Sequence, residues 1–397
     1  MQTTDLTRFN GLNNVADPMR GTDAGTKQAQ TWEWLSVADN VDVTDSGGVC
    51  VRDGWQSFSP GTRITAAYAT EDTAKLYLID NGVLVQVFTD ATRADLLTGL
   101  DDVAHWAETN NAVYLSCGTQ KLEIMQDGSV RSWGIQNLAV PAISAGSGVL
   151  PAGVYRVCLT CVDAYGREGG SAEFAEISIP ADSTVVIHGV AAPAGHTVNL
   201  YVTEADGAVF YRAASVVSGT VSIGAPASGA ELLTLNMFPP PQNAEQVTFF
   251  KGRMYLAEYM PAEDQTVIWY SQPLGYHLFA LDTDYFVLPG RVTQMGDAQE
   301  ALIVATNHNI WAYNPEQLQH IVYYGCPGGQ HAVQDGGKLY LWTNRGLCRA
   351  LPFENLTEAA VSVPPGLQAG GCVVDKNGFK KYVTLITPGG DAYNQRS

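Results

Sequence analysis

The sequence predicts an all-β protein built around a β-propeller, and three observations carry that expectation. One phrase recurs along the 397-residue chain: an apolar strand around a central aromatic or aliphatic residue, a tight polar turn, then a second strand. Most recurrences fall at a period of about 40 residues, which fits sheet repeats that each contain hairpins. No stretch sustains the 3.6-residue apolar spacing of a helix for more than about two turns.

The phrase reads KLYLIDNGVLVQV from Lys75, AVYLSCGTQKLEIM from Ala112, RMYLAEYMPAEDQTVIWY from Arg253, ALIVATNHNIWAY from Ala301, KLYLWTNRGLCRA from Lys338 and, more faintly, FKKYVTLI from Phe379. Its central residues are Tyr77, Tyr114, Tyr255, Ile303, Tyr340 and Tyr382, spaced by 37, 141, 48, 37 and 42 residues. The long gap marks an insertion. In KLYLID, alternation sets Leu76 and Leu78 on one face and Tyr77 and Ile79 on the other. Both faces are apolar, so the strand must be covered on both sides, as an inner propeller strand is. Asn81-Gly82 and Arg345-Gly346 supply hairpin turns that need positive φ, and Asn307-His308-Asn309 serves less well. The best helical stretch, Ala91 to Trp106, is short and interrupted by Gly99.

Six phrases count as six blades, with five or seven as alternatives. The last phrase lies too close to Ser397 for four strands, while the hairpin NVDVTDSGGVCVRDGWQSF (40–58) has no partner of its own. The N-terminal strands are therefore expected to close the last blade, because unpaired sheet edges invite aggregation.

Residues 143–236 have a different texture. GVYRVCLTCVDAYG places Tyr155, Val157, Leu159 and Cys161 on one face, with Arg156 and Thr160 on the other; TVNLYVTEADGAVFYRAASV opposes Val198, Leu200 and Val202 to Asn199, Tyr201 and Thr203. Such alternation reads as antiparallel sheet buried on one face. Roughly seven strand-like runs suggest an inserted Ig-like β-sandwich of the immunoglobulin or fibronectin-III kind. Ala145-Gly-Ser-Gly148 and Pro239-Pro-Pro241 punctuate its borders. The expected division is an extended arm (1–30), a first propeller part (31–142), the sandwich (143–236) and a second propeller part (237–397).

Composition excludes several function classes. The chain is 46% hydrophobic and 16% charged, so it is globular. Forty acidic against 22 basic side chains, net −18, disfavour binding a nucleic-acid backbone but would let DNA pass without sticking. No apolar run follows Met1 and none approaches the length of a membrane span, so neither a secretory leader nor a span is expected. Seven scattered cysteines (Cys50, Cys117, Cys158, Cys161, Cys326, Cys348 and Cys372) read as reduced thiols in a cytoplasmically folded protein. Cys158 and Cys161, three apart on a strand, point to opposite faces and should not pair.

Candidate chemistry is sparse, and no catalytic, cofactor or metal site is predicted. Asp101-Asp102 and Asp282-Thr-Asp284 could supply paired acids for glycoside hydrolysis, against their reading as solvated loop residues. QDGSVRSW, with Asp127 and Trp133, only partly matches a sialidase-type box and also reads as a turn before a core tryptophan. The seven histidines lack zinc-ligand spacing, and Asp39, Asp42 and Asp45 fall short of a calcium loop.

The arm, LTRFNGLNNVADPMRG, carries Phe9 and Leu12, the expected inter-subunit anchors. Together with LSVADNVDVTDSGGVCVRDGW it resembles the N-terminal region of tailed-bacteriophage virion structural proteins, through Phe9, Gly11, Ala38, Asn40, Val41, Asp42, Arg52 and Gly54. The stretches Gly153–Gly170 and Val198–Arg212 resemble the sandwich of such proteins, and VIWYSQPLGYHLF (267–279) is similar to one of their blade segments. The resemblance implies a tail-nozzle or tail-tip component in a homo-oligomeric, hexameric ring around the DNA-ejection channel, located in the virion tail, partnered by other tail proteins and not an enzyme. The alternative is a propeller that binds host-surface carbohydrate, with Trp32, Trp34, Trp55 and Trp133 as candidate platforms.

Overall fold

A computed structural model describes residues 9–14, 33–35, 39, 41–43, 48–52, 57–58, 61–72, 75–109, 112–364, 366–376 and 379–387. All regular structure among them is β, including the stretch from Ala91 to Trp106, which forms strands Arg93–Thr98 and Ala104–Thr109. The chain divides into two compact units, one of Met1–Gly61 with Gly290–Ser397, the other Thr62–Pro289.

The larger unit contains three antiparallel meanders of the blade type. The first joins Ile64–Ala69, Leu76–Asp80, Val83–Val87 and Arg93–Thr98; the second joins Ala104–Thr109, Ala112–Cys117, Gln120–Ile124 and Val130–Ser132. The third joins Gln246–Phe250, Arg253–Met260 and Gln265–Gln272, with Gly275–Phe279 and Tyr285–Pro289 both pairing the third strand. In the other unit a fourth meander joins Val292–Asp297, Leu302–Thr306, Ile310–Asn314 and Gln317–Val322, and a fifth joins Val333–Asp335, Lys338–Thr343, Gly346–Ala350 and Glu354–Asn355.

In all five the recurring phrase supplies the second strand and the turn after it. Its two apolar faces are buried as the alternation requires: Tyr77 and Ile79 join Trp106, Val113 and Leu115 of the second meander, while Leu76 and Leu78 pack with Val85 and Val87. Trp106 stacks on Tyr68 and Tyr77, at 5.7 and 6.3 Å between ring centroids. Tyr114 and Trp133 then meet Met254, Leu256 and Phe279 of the third meander, and Ile303 and Ala305 share a core with Leu339 and Leu341 of the fifth. Within each unit, successive meanders therefore stack face to face.

The sixth phrase differs. Tyr382 lies on Phe379–Thr387, the outer strand of a hairpin with Gln368–Lys376, to which Gly328–Gln330 adds in parallel. The N-terminal hairpin Val41–Val43/Val49–Val51 shows no ladder to this sheet among the described residues. Its link is instead a side-chain ion pair, Lys381 Nζ to Asp42 Oδ2 at 2.6 Å. The arm strand Phe9–Leu12 pairs in parallel with Glu33–Leu35, and Asn14 exchanges hydrogen bonds with Ser362 at 2.7 and 2.9 Å.

Residues 142–223 form seven strands in two sheets: Ala142–Leu150, Gly153–Val162, Ala175–Ile179, Ser183–Ala191, Thr197–Thr203, Phe210–Val216 and Ser218–Ile223. Their shared core includes Tyr155, Val157, Leu159, Val185, Ile187, Val198 and Leu200. Two expectations need correction. The first, fourth and seventh strands form one sheet and the order third-second-fifth-sixth forms the other, whereas an immunoglobulin domain groups the first, second, fourth and fifth. Alternation reveals which face of a strand is buried but not which strand lies beside it. The larger sheet is also covered on its outer face, where Leu232 packs on Cys158, Tyr201 and Phe210.

Two turns, at 88–92 and 125–129, share one geometry: Phe88 N bonds Thr92 O and Met125 N bonds Ser129 O, both at 2.9 Å. The penultimate residue is left-handed in both, Gly128 at φ 85° but Ala91 at φ 67°. A Cβ is disfavoured there. Ala91→Gly should therefore stabilise the protein by about 1 kcal/mol, read as a raised denaturation midpoint with unchanged m-value.

Candidate functional site

The densest polar construction in the protein is the seat of the sandwich on the second and third meanders, all within the Thr62–Pro289 unit. Trp133 ends the second meander, is fully buried, and donates Nε1–H to Tyr276 O at 2.7 Å. Its ring meets Tyr114 edge-on at 5.0 Å. Just above it Glu123, with only 5% of its side chain exposed, receives both arms of Arg131 (2.9 and 3.0 Å), the Tyr114 hydroxyl (3.1 Å) and Arg167 (2.8 Å).

Arg167 comes from the sandwich, in the loop after its second strand. It also bonds Asp163 at 2.8 Å, Trp133 O at 3.1 Å and Ser132 O at 3.0 Å. One guanidinium thus ties the sandwich to the rim of a meander. Next in sequence, Glu168 accepts from Asn199 Nδ2 (2.9 Å), the Tyr201 hydroxyl (2.8 Å) and the Thr160 hydroxyl, while its backbone carbonyl accepts from His277 Nε2–H of the third meander (3.0 Å). Burial pushes His277 below the usual imidazole range, so it serves as a neutral donor. Gly170 permits the closest approach, since a Cβ there would stand 2.0 Å from Met237 O.

A second tie is Lys121, whose buried Nζ donates to Gly118 O at 2.8 Å and Gln242 O at 2.7 Å. Burial pushes its ammonium down to about 8. Ser116 adds a bond to Ala244 O at 2.9 Å, so the chain leaving the sandwich is held along the second meander. This arrangement performs positioning: Glu123 and Asp163 match the two guanidinium groups, carbonyls hold the buried ammonium, and a shallow pocket between Gln136, Asn137 and Phe238–Gln242 carries no charged lining. Sequence reasoning missed it because Glu123, Arg131 and Arg167 belong to separate elements; charged residues on strands expected to be covered were the available signal.

Apart from Trp133, the residues singled out from sequence fall elsewhere. Asp102 pairs with exposed Arg63 at 2.5 Å, and Asp284 receives Gln272 Nε2 at 2.7 Å. Asp127 caps its own turn through Ser129, and Trp133 belongs to the core, which rules it out as a sugar platform. Trp34 lies on Glu33–Leu35 with its side chain outside the described residues, as do Trp32 and Trp55 entirely. Asp42 is taken up by Arg52 (3.1 Å) and Lys381, Asp39 is exposed, and Asp45 lies outside the described residues. Cys158 and Cys161 are buried and unpaired, whereas Cys50 and Cys372 are exposed thiols, unlike the other five. Leu12 is half-buried; the side chain of Phe9 lies outside the described residues. No group of three or more His, Cys, Asp or Glu suited to a metal occurs among the described residues, and no helix there is long and apolar enough to cross a membrane.

The chain matches no protein-family model and no curated protein. Among solved structures it is similar to a streptogramin B lyase, 9% identical with a TM-score of 0.34 over 79% of this chain and 90% of that one. It is similar also to virginiamycin B lyase from Staphylococcus aureus (10%, 0.32, over 78% and 88%). A third is the extracellular domain of a two-component system from B. thetaiotaomicron (10%, 0.37), of which the chain covers 30% with 78% of its own length. Likenesses this distant carry no argument about activity or partners.

Two outcomes follow from this chemistry. Removing Glu123 leaves the Arg131 guanidinium partly buried without its carboxylate and Arg167 with Asp163 alone, so Glu123→Ala should cost about 3 kcal/mol and speed proteolysis of the 134–140 connection, measured against the parent protein. The second concerns His331, fully buried, which donates Nε2–H to Pro327 O (3.0 Å) and accepts Trp342 N–H at Nδ1 (3.1 Å). Burial pushes its pKa down from 6.5 to about 4. The unfolded chain binds this proton first, so His331's contribution is complete above pH 6.5 and is lost as pH falls through about 4. Denaturation midpoints across this window should decline more steeply for the parent than for His331→Gln.

Proposed function

We propose that this chain is a structural subunit of a tailed-bacteriophage tail, working by assembly into a ring and not by catalysis. The observation that carries the reading is incomplete coverage at the chain's last sheets. The phrase's central residue is buried at Tyr77, Tyr114, Tyr255 and Ile303 but only half-buried at Tyr340 and Tyr382. Beside them stand apolar side chains in open solvent: Leu385 at 79%, Leu367 at 66%, and Val51 at 74% on a hairpin strand whose three residues are all exposed.

A lone two-stranded hairpin is marginal in water, and an open apolar edge invites pairing. A neighbouring subunit that covers this flank relieves both conditions. In this reading the five meanders and the terminal hairpin make six blades, with the N-terminal hairpin seated on the last one through Asp42 and Lys381. Phe9 and Leu12 anchor the arm between subunits. The sandwich, fixed by Arg167, projects a rigid second domain. A net charge of −18 lines the assembly with acid, over which DNA slides without sticking.

Sedimentation of the full chain tests this proposal. A concentration-dependent closed oligomer is expected, and the double variant Val51→Asp, Leu385→Asp should stay folded by circular dichroism yet sediment as monomer. A parent protein that remains monomeric at every concentration, or a variant that assembles like the parent, would count against it.

A further inference from the structure

The fourth meander carries a feature of a different kind. Trp311 on its third strand stands in register with His320 on its fourth, and their rings meet edge to face at 4.6 Å. His320 in turn lies 4.1 Å from the ring of Tyr323, just past the strand end. Tyr323 is 88% exposed, more than any other large hydrophobic side chain among the described residues. The result is a short ladder of three rings, its base sheltered and its last member open to water.

The polar groups at its edge are set by one hydrogen bond, between His320 Nε2 and Asn309 Oδ1 at 2.9 Å. A side-chain carbonyl only accepts, so the proton sits on Nε2. In the neutral ring this leaves Nδ1 as an acceptor, and the Asn309 amide N–H groups as donors. The indole N–H of Trp311 is shielded and finds no acceptor, so that ring supports the ladder through its faces alone.

We propose that this ladder binds a neutral sugar ring, with Tyr323 as the stacking platform and His320 and Asn309 as the hydroxyl-reading pair. The C–H face of a pyranose packs on an open aromatic face, while its equatorial hydroxyls need donors and acceptors at the rim. Charge argues against the rivals. No Lys or Arg occurs from Val292 to Gly337, and Arg345, which lies over the ring of Tyr324, is already paired with Glu358 at 3.5 Å, so phosphates and nucleic acid find little counter-charge. A single open ring also lacks the enclosing walls of a quaternary-ammonium cage. On the ladder's own face His320 is followed by Leu318 and Trp311 by Tyr313, so the rings continue into a narrow strip of partly exposed side chains, with Gln317 and Gln319 on the strand's other face. The site involves the fourth meander alone and stands whether or not the chain assembles.

The test titrates the full chain with methyl β-D-glucoside, methyl β-D-galactoside, methyl α-D-mannoside and N-acetylglucosamine, read by saturation-transfer NMR and calorimetry, with choline and inorganic phosphate alongside. At least one neutral sugar should bind in the millimolar range, with its ring C–H protons most strongly saturated. Tyr323→Ala should weaken that binding about tenfold or more, Tyr323→Trp should preserve it, and His320→Ala should weaken it with thermal stability close to the parent's. No transfer to any of the four sugars, or binding untouched by Tyr323→Ala, overturns the proposal. So does binding at Tyr323 of choline or phosphate in place of a sugar, or a change of oligomeric state caused by Tyr323→Ala.

Discussion

A strand that is apolar on both faces cannot sit at a surface, and this protein repeats such a strand in every meander. Tyr77 with Ile79 on one side and Leu76 with Leu78 on the other oblige the sheet to be covered twice. Within each unit, stacking neighbouring meanders face to face meets that obligation on one side of the strand. The order of the sheets, their spacing in sequence and the burial of Trp106 and Trp133 between neighbours all follow from it. Tyr340 and Tyr382, by contrast, are only half-buried.

The sandwich obeys a different rule. Its own core is apolar and complete, yet it is fixed to the meanders by charge and hydrogen bonding: Arg167 on Glu123, the Glu168 carbonyl on His277, Lys121 on the connecting chain. Such contacts are strongly directional, and one lost partner leaves a costly buried charge. A junction of this kind holds an orientation where an apolar seam would allow sliding.

Much of the fold was legible because its determinants are local. Alternation in KLYLID, the Asn81-Gly82 turn and the near-40-residue spacing each state a physical requirement within a few residues, and five of the six phrases became inner strands of four- or five-stranded sheets. What stayed hidden is non-local. The pairing order of the sandwich depends on which strands are neighbours, the seat of Arg167 on residues 44 positions away, and the Asp42–Lys381 contact on ends 339 apart. Trp133 was ambiguous for the same reason: a tryptophan after a turn reads alike whether Tyr276 lies above it or solvent does. The exposed ladder at Tyr323 was hidden too, because it needs Trp311 and His320 in register across two strands.

The account rests on the claim that another copy covers the chain's last sheets. Amide hydrogen exchange, followed from dilute to concentrated full-length protein, tests it most directly. The strands Val49–Val51, Gln368–Lys376 and Phe379–Thr387 should gain protection as concentration rises, while the buried strand Ala112–Cys117 stays equally protected throughout. Exchange in the terminal strands that is fast and independent of concentration would contradict it.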